Sequence, residues 1–419
     1  MRFTALLLIP ALVSQVVSAA EPAKLPQPFQ SIFDLASAAP PEFTADALLR
    51  MVESGKLADR KARRELVEHA FQLAMSAKFA MRMEAVKGAT TDTESGSLSQ
   101  AYALELDVLS LRSRAVRDML PLDPAKARDL FSQIVKPALA PLTCDDALFY
   151  QPSEFYLALS AVANGAFSPR EKTKEEHVNF LLEYLGQASS PLQIAPLSTV
   201  IQSAAVTEAQ RQLLWTRLAS FVENLQPDDR SSSAALTEMS YTGVEAFAEK
   251  LRQKSHDCQS APKLEKYWQS ATSKQLLEGG KKLRETLNAT APVDWQRQLS
   301  DYLNLIADWT QDSAESDAVY YHEKCLVYTS LLDLVRGPQS DRILADYVDF
   351  VGNSGLYQQS PAEWFAEPHT VLTRAKPDSS RRAKVLEAYQ RSGNPVLELE
   401  VALERAFRAD APSWAVSRR

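Results

Sequence analysis

Apolar residues in this chain recur at intervals of three and four, with polar residues between them. Phe43, Ala47 and Met51 fall on one stripe, and Leu66, Ala70, Phe71 and Ala74 on the next. Leu104, Val108, Leu111, Ala115 and Met119 make a third. Leu276, Leu283 and Leu287, then Leu299, Leu303, Ile306 and Trp309, then Leu326, Leu331, Leu334 and Val335 repeat the pattern towards the C-terminus. No run of four or more strictly alternating residues bounded by turn signals marks a strand. The periodicity predicts an all-α fold.

Capping signals show where the helices begin. Ser168-Pro-Arg-Glu171, Ser190-Pro-Leu-Gln193 and Ser360-Pro-Ala-Glu363 each place a hydroxyl at the N-cap, proline at the first helical position and Glu or Gln two residues further on. Thr173 with Glu176 and Thr207 with Gln210 fit the same box without proline, and Asp123-Pro124 is a further cap. The stripes and caps together predict helix pairs: Glu42–Ser54 with Asp59–Lys78, Ser99–Leu120 with Asp123–Val135, Asp146–Ala163 with Lys174–Gln187, and Leu192–Ala204 with Glu208–Leu225. The series closes with Val385–Gln390 and Val396–Phe407. Pairs every 35 to 45 residues or so are the spacing of α-solenoids. The expected architecture is a continuous array of antiparallel helical hairpins over 29–419, an irregular α-solenoid or right-handed superhelix, with a candidate division near 226–262. A globular α-bundle and an α/α toroid are the alternatives. Gly88–Ser99, rich in Thr, Ser and Gly, is expected to be an exposed loop.

The last pair resembles a tetratricopeptide repeat over about 30 residues, with Tyr389, Gly393, Ala402, Ala406 and Phe407 in corresponding roles. It departs from that pattern by about one helical turn between Gly393 and Ala402, and no second copy carries the signature.

The N-terminus adds a location. Arg2 precedes an apolar stretch from Ala5 to Val17, and Val17-Ser-Ala-Ala20 supplies small residues, the layout of a cleaved signal peptide over 1–20. The stretch is about 13 residues long, short of the roughly 20 that a spanning helix needs. A proline-rich tether is expected over 21–28. No long apolar run follows, and no cysteine stands near the cleavage site. The expected product is a soluble protein, secreted or periplasmic.

Export changes the reading of the cysteines. Cys144, Cys258 and Cys325 are an odd set, and an oxidising compartment favours one bridge. Cys144 and Cys258 stand in loop-like surroundings and are the expected pair, while Cys325 lies inside an apolar helical pattern and is expected in the core. His256, Cys258, His322 and Cys325 have the donors of a zinc site, but their spacing matches no standard finger and the bridge is preferred. His322-Glu323 cannot open a His-Glu-x-x-His motif, because Leu326 stands where the second histidine belongs.

Composition excludes several activities. The chain has 46 Lys and Arg against 53 Asp and Glu, with both signs interspersed and no basic stripe, which argues against a nucleic-acid partner. Glycine is scarce, at 12 of 419, and neither a dinucleotide fingerprint nor a P-loop occurs. Asn353-Ser-Gly-Leu-Tyr-Gln358 resembles the Gly-Leu-Met-Gln segment of soluble lytic transglycosylases, exported helical superhelices that cut peptidoglycan with one glutamate. The Glu-Ser pair that belongs a short way upstream is absent, since Glu315-Ser316 stands too far away, and the segment is read as an interhelical loop. The acid pairs Asp145-Asp146, Glu175-Glu176 and Asp228-Asp229 fall at expected helix starts, where capping explains them. Tyr320-Tyr321 and Trp364-Phe365 suit either a groove or the core.

No catalytic, cofactor-binding or metal-binding residue is assigned from these patterns. The functional expectation is an exported, helical-repeat-like binding or scaffolding module for a protein, peptide or glycan partner. The competing expectation is a cell-envelope or polysaccharide-processing enzyme on an all-α scaffold.

Overall fold

Helical periodicity dominates the computed structural model, which describes residues 25–242, 244–255, 258, 262–289, 294–313, 315–375 and 378–407. The expected leader, residues 21–24 of the expected tether, and His256 lie outside these residues. Leu25, in the remainder of that segment, is buried, and its amide donates to Gln30 Oε1 at 3.1 Å.

The chain opens with α1 (Phe29–Ala36), α2 (Pro41–Glu53) and α3 (Arg60–Leu73), followed by a 3-10 turn over Ala74–Ser76. Strand β1 (Met83–Ala85), α4 (Glu94–Tyr102), α5 (Val108–Met119) and α6 (Pro124–Ser132) come next. Strand β2 (Leu148–Tyr150) pairs antiparallel with β1, Met83 opposite Tyr150. The middle of the chain forms α7 (Ser153–Gly165), α8 (Pro169–Thr173), α9 (Glu176–Leu185), a 3-10 turn over Pro191–Gln193, α10 (Ile194–Ser203), α11 (Glu208–Asn224), α12 (Asp229–Thr242) and α13 (Glu245–Lys254). The rest holds α14 (Ala271–Asn288), α15 (Trp295–Asp308), α16 (Asp317–Leu334), α17 (Pro338–Gly352), α18 (Leu356–Gln359), α19 (Pro361–Arg374), α20 (Ser379–Gln390) and α21 (Pro395–Phe407). The fold is all-α, with β1 and β2 as the one small sheet among the described residues. None of the described helices is long and apolar enough to cross a membrane.

Most of the caps form. Ser168 with Glu171, Ser190 with Gln193 and Thr207 with Gln210 each complete a reciprocal capping box, satisfying amides that the first turn leaves without partners. Asp123 accepts from the Lys126 amide. Two expected boxes do not form. The Thr173 hydroxyl donates to Pro169 O, and α9 starts from Glu175 in the left-handed region at φ 61°. Ser360 makes no side-chain cap, and the Glu363 carboxylate lies against His322 at 3.2 Å and does not close the box.

Other boundaries shift for local reasons. The helix expected over Ser99–Leu120 is two helices, broken at Glu105, where φ reaches 57°, and restarted by the Asp107 cap. The helix expected from Asp146 begins at Ser153. Asp146 instead folds back to accept from the Thr143 amide and hydroxyl, and Leu148–Tyr150 is a strand. The loop expected over Gly88–Ser99 gives way to α4 from Glu94. There Thr93, Ser95 and Ser97 are buried, and the Thr93 hydroxyl caps the Gly96 amide. Gly96 is required: a Cβ there would stand 2.0 Å from Thr90 O.

One large hydrophobic cluster runs from Leu25 and Phe29 to Leu403. The first and last described helices meet inside it. Helices α1 and α2 pack on α21, with Phe29 and Phe407 rings 5.9 Å apart and Phe43 set edge-on to Phe365 of α19 at 5.2 Å. A smaller cluster joins Ile194, Val222 and Leu225 to Ala235, Met239 and Leu251, and so seats α12 and α13 on α10 and α11. The disulfide Cys144–Cys258 fastens the chain just after α13 to the loop before β2, and Arg230 of α12 donates to Cys144 O. Cys325 is a free thiol, fully buried.

Candidate functional site

Helix α16 carries four consecutive buried residues with polar side chains, His322, Glu323, Lys324 and Cys325. Side chains along a helix turn by roughly 100° per residue, so each of the four meets a different neighbour.

His322 is fully enclosed. Its Nδ1 lies 3.0 Å from Glu367 Oε1 and its Nε2 3.2 Å from Glu363 Oε1, both on α19. Tyr267 stacks on the imidazole with planes 5° apart, and its hydroxyl hydrogen-bonds that of Ser97 on α4. Burial works against the charged ring, but the two carboxylates prevail and push its pKa up to about 9. At neutral pH this is an imidazolium between two glutamates. Glu323 points elsewhere and accepts from the Trp268 amide through Oε1, while Oε2 has no hydrogen-bond partner. Burial pushes its carboxyl up to about 7.

Lys324 faces a cleft of about 710 Å³ between α15, α16 and α17. Its ammonium donates to Trp309 O at 2.9 Å and to Tyr320 Oη at 3.0 Å, and it lies 5.1 to 5.8 Å from the ring centres of Phe350, Tyr320 and Trp309. Trp309 O belongs to the C-terminal end of α15, where a positive charge is favoured. Burial lowers the amine to about 8, so an appreciable share is neutral near physiological pH. Tyr320, Tyr328 and Phe350 supply aromatic surface to the cleft, and Asp317, Asp346 and Asp349 supply carboxylates. Burial, with the charge of Asp349, raises Asp346 despite Arg342 nearby. Asp317 is held below its usual range by the amide of Gln311 and then that of Gln359.

Tyr320 therefore takes the groove role, whereas Tyr321, Trp364 and Phe365 are core. Tyr321 donates to Trp364 O and the Trp364 indole to Val351 O. Asn353, Ser354 and Gly355, in the segment that resembles the transglycosylase motif, form the turn between α17 and α18 and close one end of the cleft. Cys258 is committed to Cys144, and among the described residues no group of three His, Cys, Asp or Glu side chains is placed to hold a metal ion. Of the acid pairs, Asp228 caps the Ser231 amide, Glu175 precedes α9 and accepts from Gln210, and Asp146 closes the Thr143 turn.

Lys324, Asp346 and Asp349 are the residues that sequence reasoning missed here. Tyr320, Lys324 and Tyr328 recur every fourth residue, a polar-tipped stripe inside an apolar helix, and that was the available signal. Glu363 and Glu367 share a face of α19 at the same spacing, but the Ser360 capping pattern masked it. Comparison of the chain with protein families, with curated proteins and with solved structures finds no match.

Proposed function

We propose that the chain is an exported binding module, built as a helical array whose ends close on one another, and that its ligand occupies the cleft over α16. The carrying observation is the composition of that cleft, where aromatic surface from Tyr320, Tyr328 and Phe350 stands beside the carboxylates of Asp317, Asp346 and Asp349. Flat rings stack against the apolar faces of a sugar, and carboxylates accept from its hydroxyls, so a glycan is the ligand class that uses both. The volume of about 710 Å³ lies within the range of sites for small molecules. The disulfide is consistent with an oxidising compartment.

The test is equilibrium binding of cell-wall and polysaccharide fragments to the mature protein, followed by intrinsic fluorescence, since Trp309 lies under the cleft. Saturable binding that Asp349→Asn and Phe350→Ala each weaken about tenfold or more supports the reading. Binding unchanged in both variants removes it.

One observation favours the enzyme reading. A lysine with a pKa near 8 inside a cleft can accept a proton near neutral pH. Turnover of a bound glycan that Lys324→Met abolishes while binding persists would select that reading over a passive module.

A further inference from the structure

A second cleft, of about 430 Å³, lies between the end of α9 and the C-terminal half of α11, and it shares no residue with the cleft over α16. Arg217 is the one charged residue among those lining it. It has no ion pair among the described residues, and carboxylates on the same two helices are engaged elsewhere. Glu183 pairs with Lys136 at 3.4 Å and Glu223 with Lys250 at 2.7 Å.

The guanidinium reaches the cleft from an exposed position on α11. It lies over Gly186, where an added Cβ would come within 2.5 Å of one of its nitrogens. Gly186 caps the C-terminus of α9, so the partial negative charge of that helix end faces the arginine without satisfying its donors. Ser220 and Asn224 add polar groups at the rim, and Leu185, Phe221 and Leu225 form an apolar floor. A planar fork of free donors beside an apolar floor matches a carboxylate attached to an apolar body.

We propose that this cleft is a binding site for an organic carboxylate, held by Arg217, with its apolar portion on Phe221 and Leu225. The free C-terminus of a peptide and a small branched acid both have this chemistry.

The test is calorimetric titration of the full mature chain with four probes: acetyl-leucyl-alanine as the free acid, the same peptide as its C-terminal amide, isovalerate, and inorganic phosphate. The expected result is saturable binding of the free acid, with the amide weaker by about tenfold or more, because a charge-assisted pair is lost. Arg217→Gln should remove the difference between acid and amide. Gly186→Ala should weaken the acid by displacing the guanidinium. Arg217 is exposed, so both variants should keep the wild-type circular dichroism and melting temperature. Isovalerate binding as well as the peptide assigns the site to small acids, and a preference for the peptide assigns it to C-termini; either supports the proposal. Equal binding of acid and amide, no binding of either acid at millimolar concentration, phosphate binding as tightly as the acid, or an unchanged Arg217→Gln variant overturns it.

Discussion

Arg50 on α2 donates to Glu400 on α21 at 2.7 Å, joining positions 350 residues apart. Glu400 is 7% exposed. The same arginine lies 3.5 Å from Asp46, which accepts from Arg114 of α5 at 2.6 Å, and Arg114 reaches Glu53 as well. A polar chain thus runs from α5 through α2 to the last helix, beside the aromatic contacts Phe29–Phe407 and Phe43–Phe365. In a linear stack of hairpins each unit meets only its neighbours, so this contact couples the stability of the first and last described helices.

That coupling is measurable. A double-mutant cycle on Arg50→Ala and Glu400→Gln should return an interaction energy of about 1 to 3 kcal/mol, from the half-buried, charge-assisted geometry. A coupling within error of zero would show that the ion pair is incidental to the packing of α1 and α2 on α21.

Gly96 offers a second check on packing. Its hypothetical Cβ meets backbone, the Thr90 carbonyl, and so nothing nearby can rotate away. Gly96→Ala should destabilise by about 1 to 3 kcal/mol, the usual range for overpacking, with the melting temperature as the readout. Gly88, at φ 100° and with no atom within 4 Å, is the control that separates backbone conformation from crowding.

The α4 segment also shows where sequence reasoning stops. Apolar stripes at 3.6-residue spacing made α2, α3 and α15 legible, and the Ser168 and Thr207 boxes fixed two starts. Thr93 to Ser97 has no apolar stripe, because its burial rests on small side chains and on hydrogen bonds to Thr90 and Tyr267. The Tyr267 partner stands 170 residues away in the chain, which local periodicity does not register. The candidate site was hidden in a related way. Lys324 and His322 sit in the buried middle of α16, and their partners Trp309, Glu363 and Glu367 come from α15 and α19. The pairing of Cys144 with Cys258 was legible, because their loop-like surroundings set them apart from Cys325 in its apolar helical pattern.

Reducing that disulfide should loosen one region more than the rest. The bridge spans 114 residues, and the chain-entropy argument assigns such a loop about 4 to 5 kcal/mol. Helices α12 and α13 rest on their own small cluster, so limited proteolysis after reduction should cut first between α12 and α14. Uniform sensitivity along the chain would show that the bridge acts globally.

Lys324 should stand apart from the other lysines in competitive acylation. Its reactivity should titrate with a midpoint near 8, whereas exposed lysines follow the ordinary value near 10.4. Phe350→Ala opens the cleft to water and should move the midpoint upward. A midpoint above about 10 in the wild-type protein would contradict the burial of the amine.

The pH dependence of stability separates the two neighbouring groups on α16. Glu323 has a folded pKa raised to about 7 against roughly 4.3 when unfolded, so the folded state holds its proton more tightly and stability falls as pH rises through that window. His322 is raised to about 9 from roughly 6.5, so the stabilisation from its imidazolium is complete below pH 6.5 and is lost as pH climbs through 9. Lys324 acts in the opposite sense above about 8, because the folded state has already released a proton that the unfolded chain retains. Thermal melts should therefore decline in two stages from pH 5 to about pH 8, above which Lys324 offsets the loss from His322. Glu323→Gln should make the lower stage shallower, leaving the part up to about pH 6 that burial of the Asp107 and Glu238 carboxyls contributes, and leave the upper one. His322→Gln should remove the upper stage, lower stability at pH 6 because Glu363 and Glu367 would then face each other without the cation, and leave the Glu323 window in place. If the His322→Gln variant retained the wild-type slope between pH 7 and pH 9, the imidazole would have to be neutral between its two glutamates. Tyr267 would then be stacked on an uncharged ring.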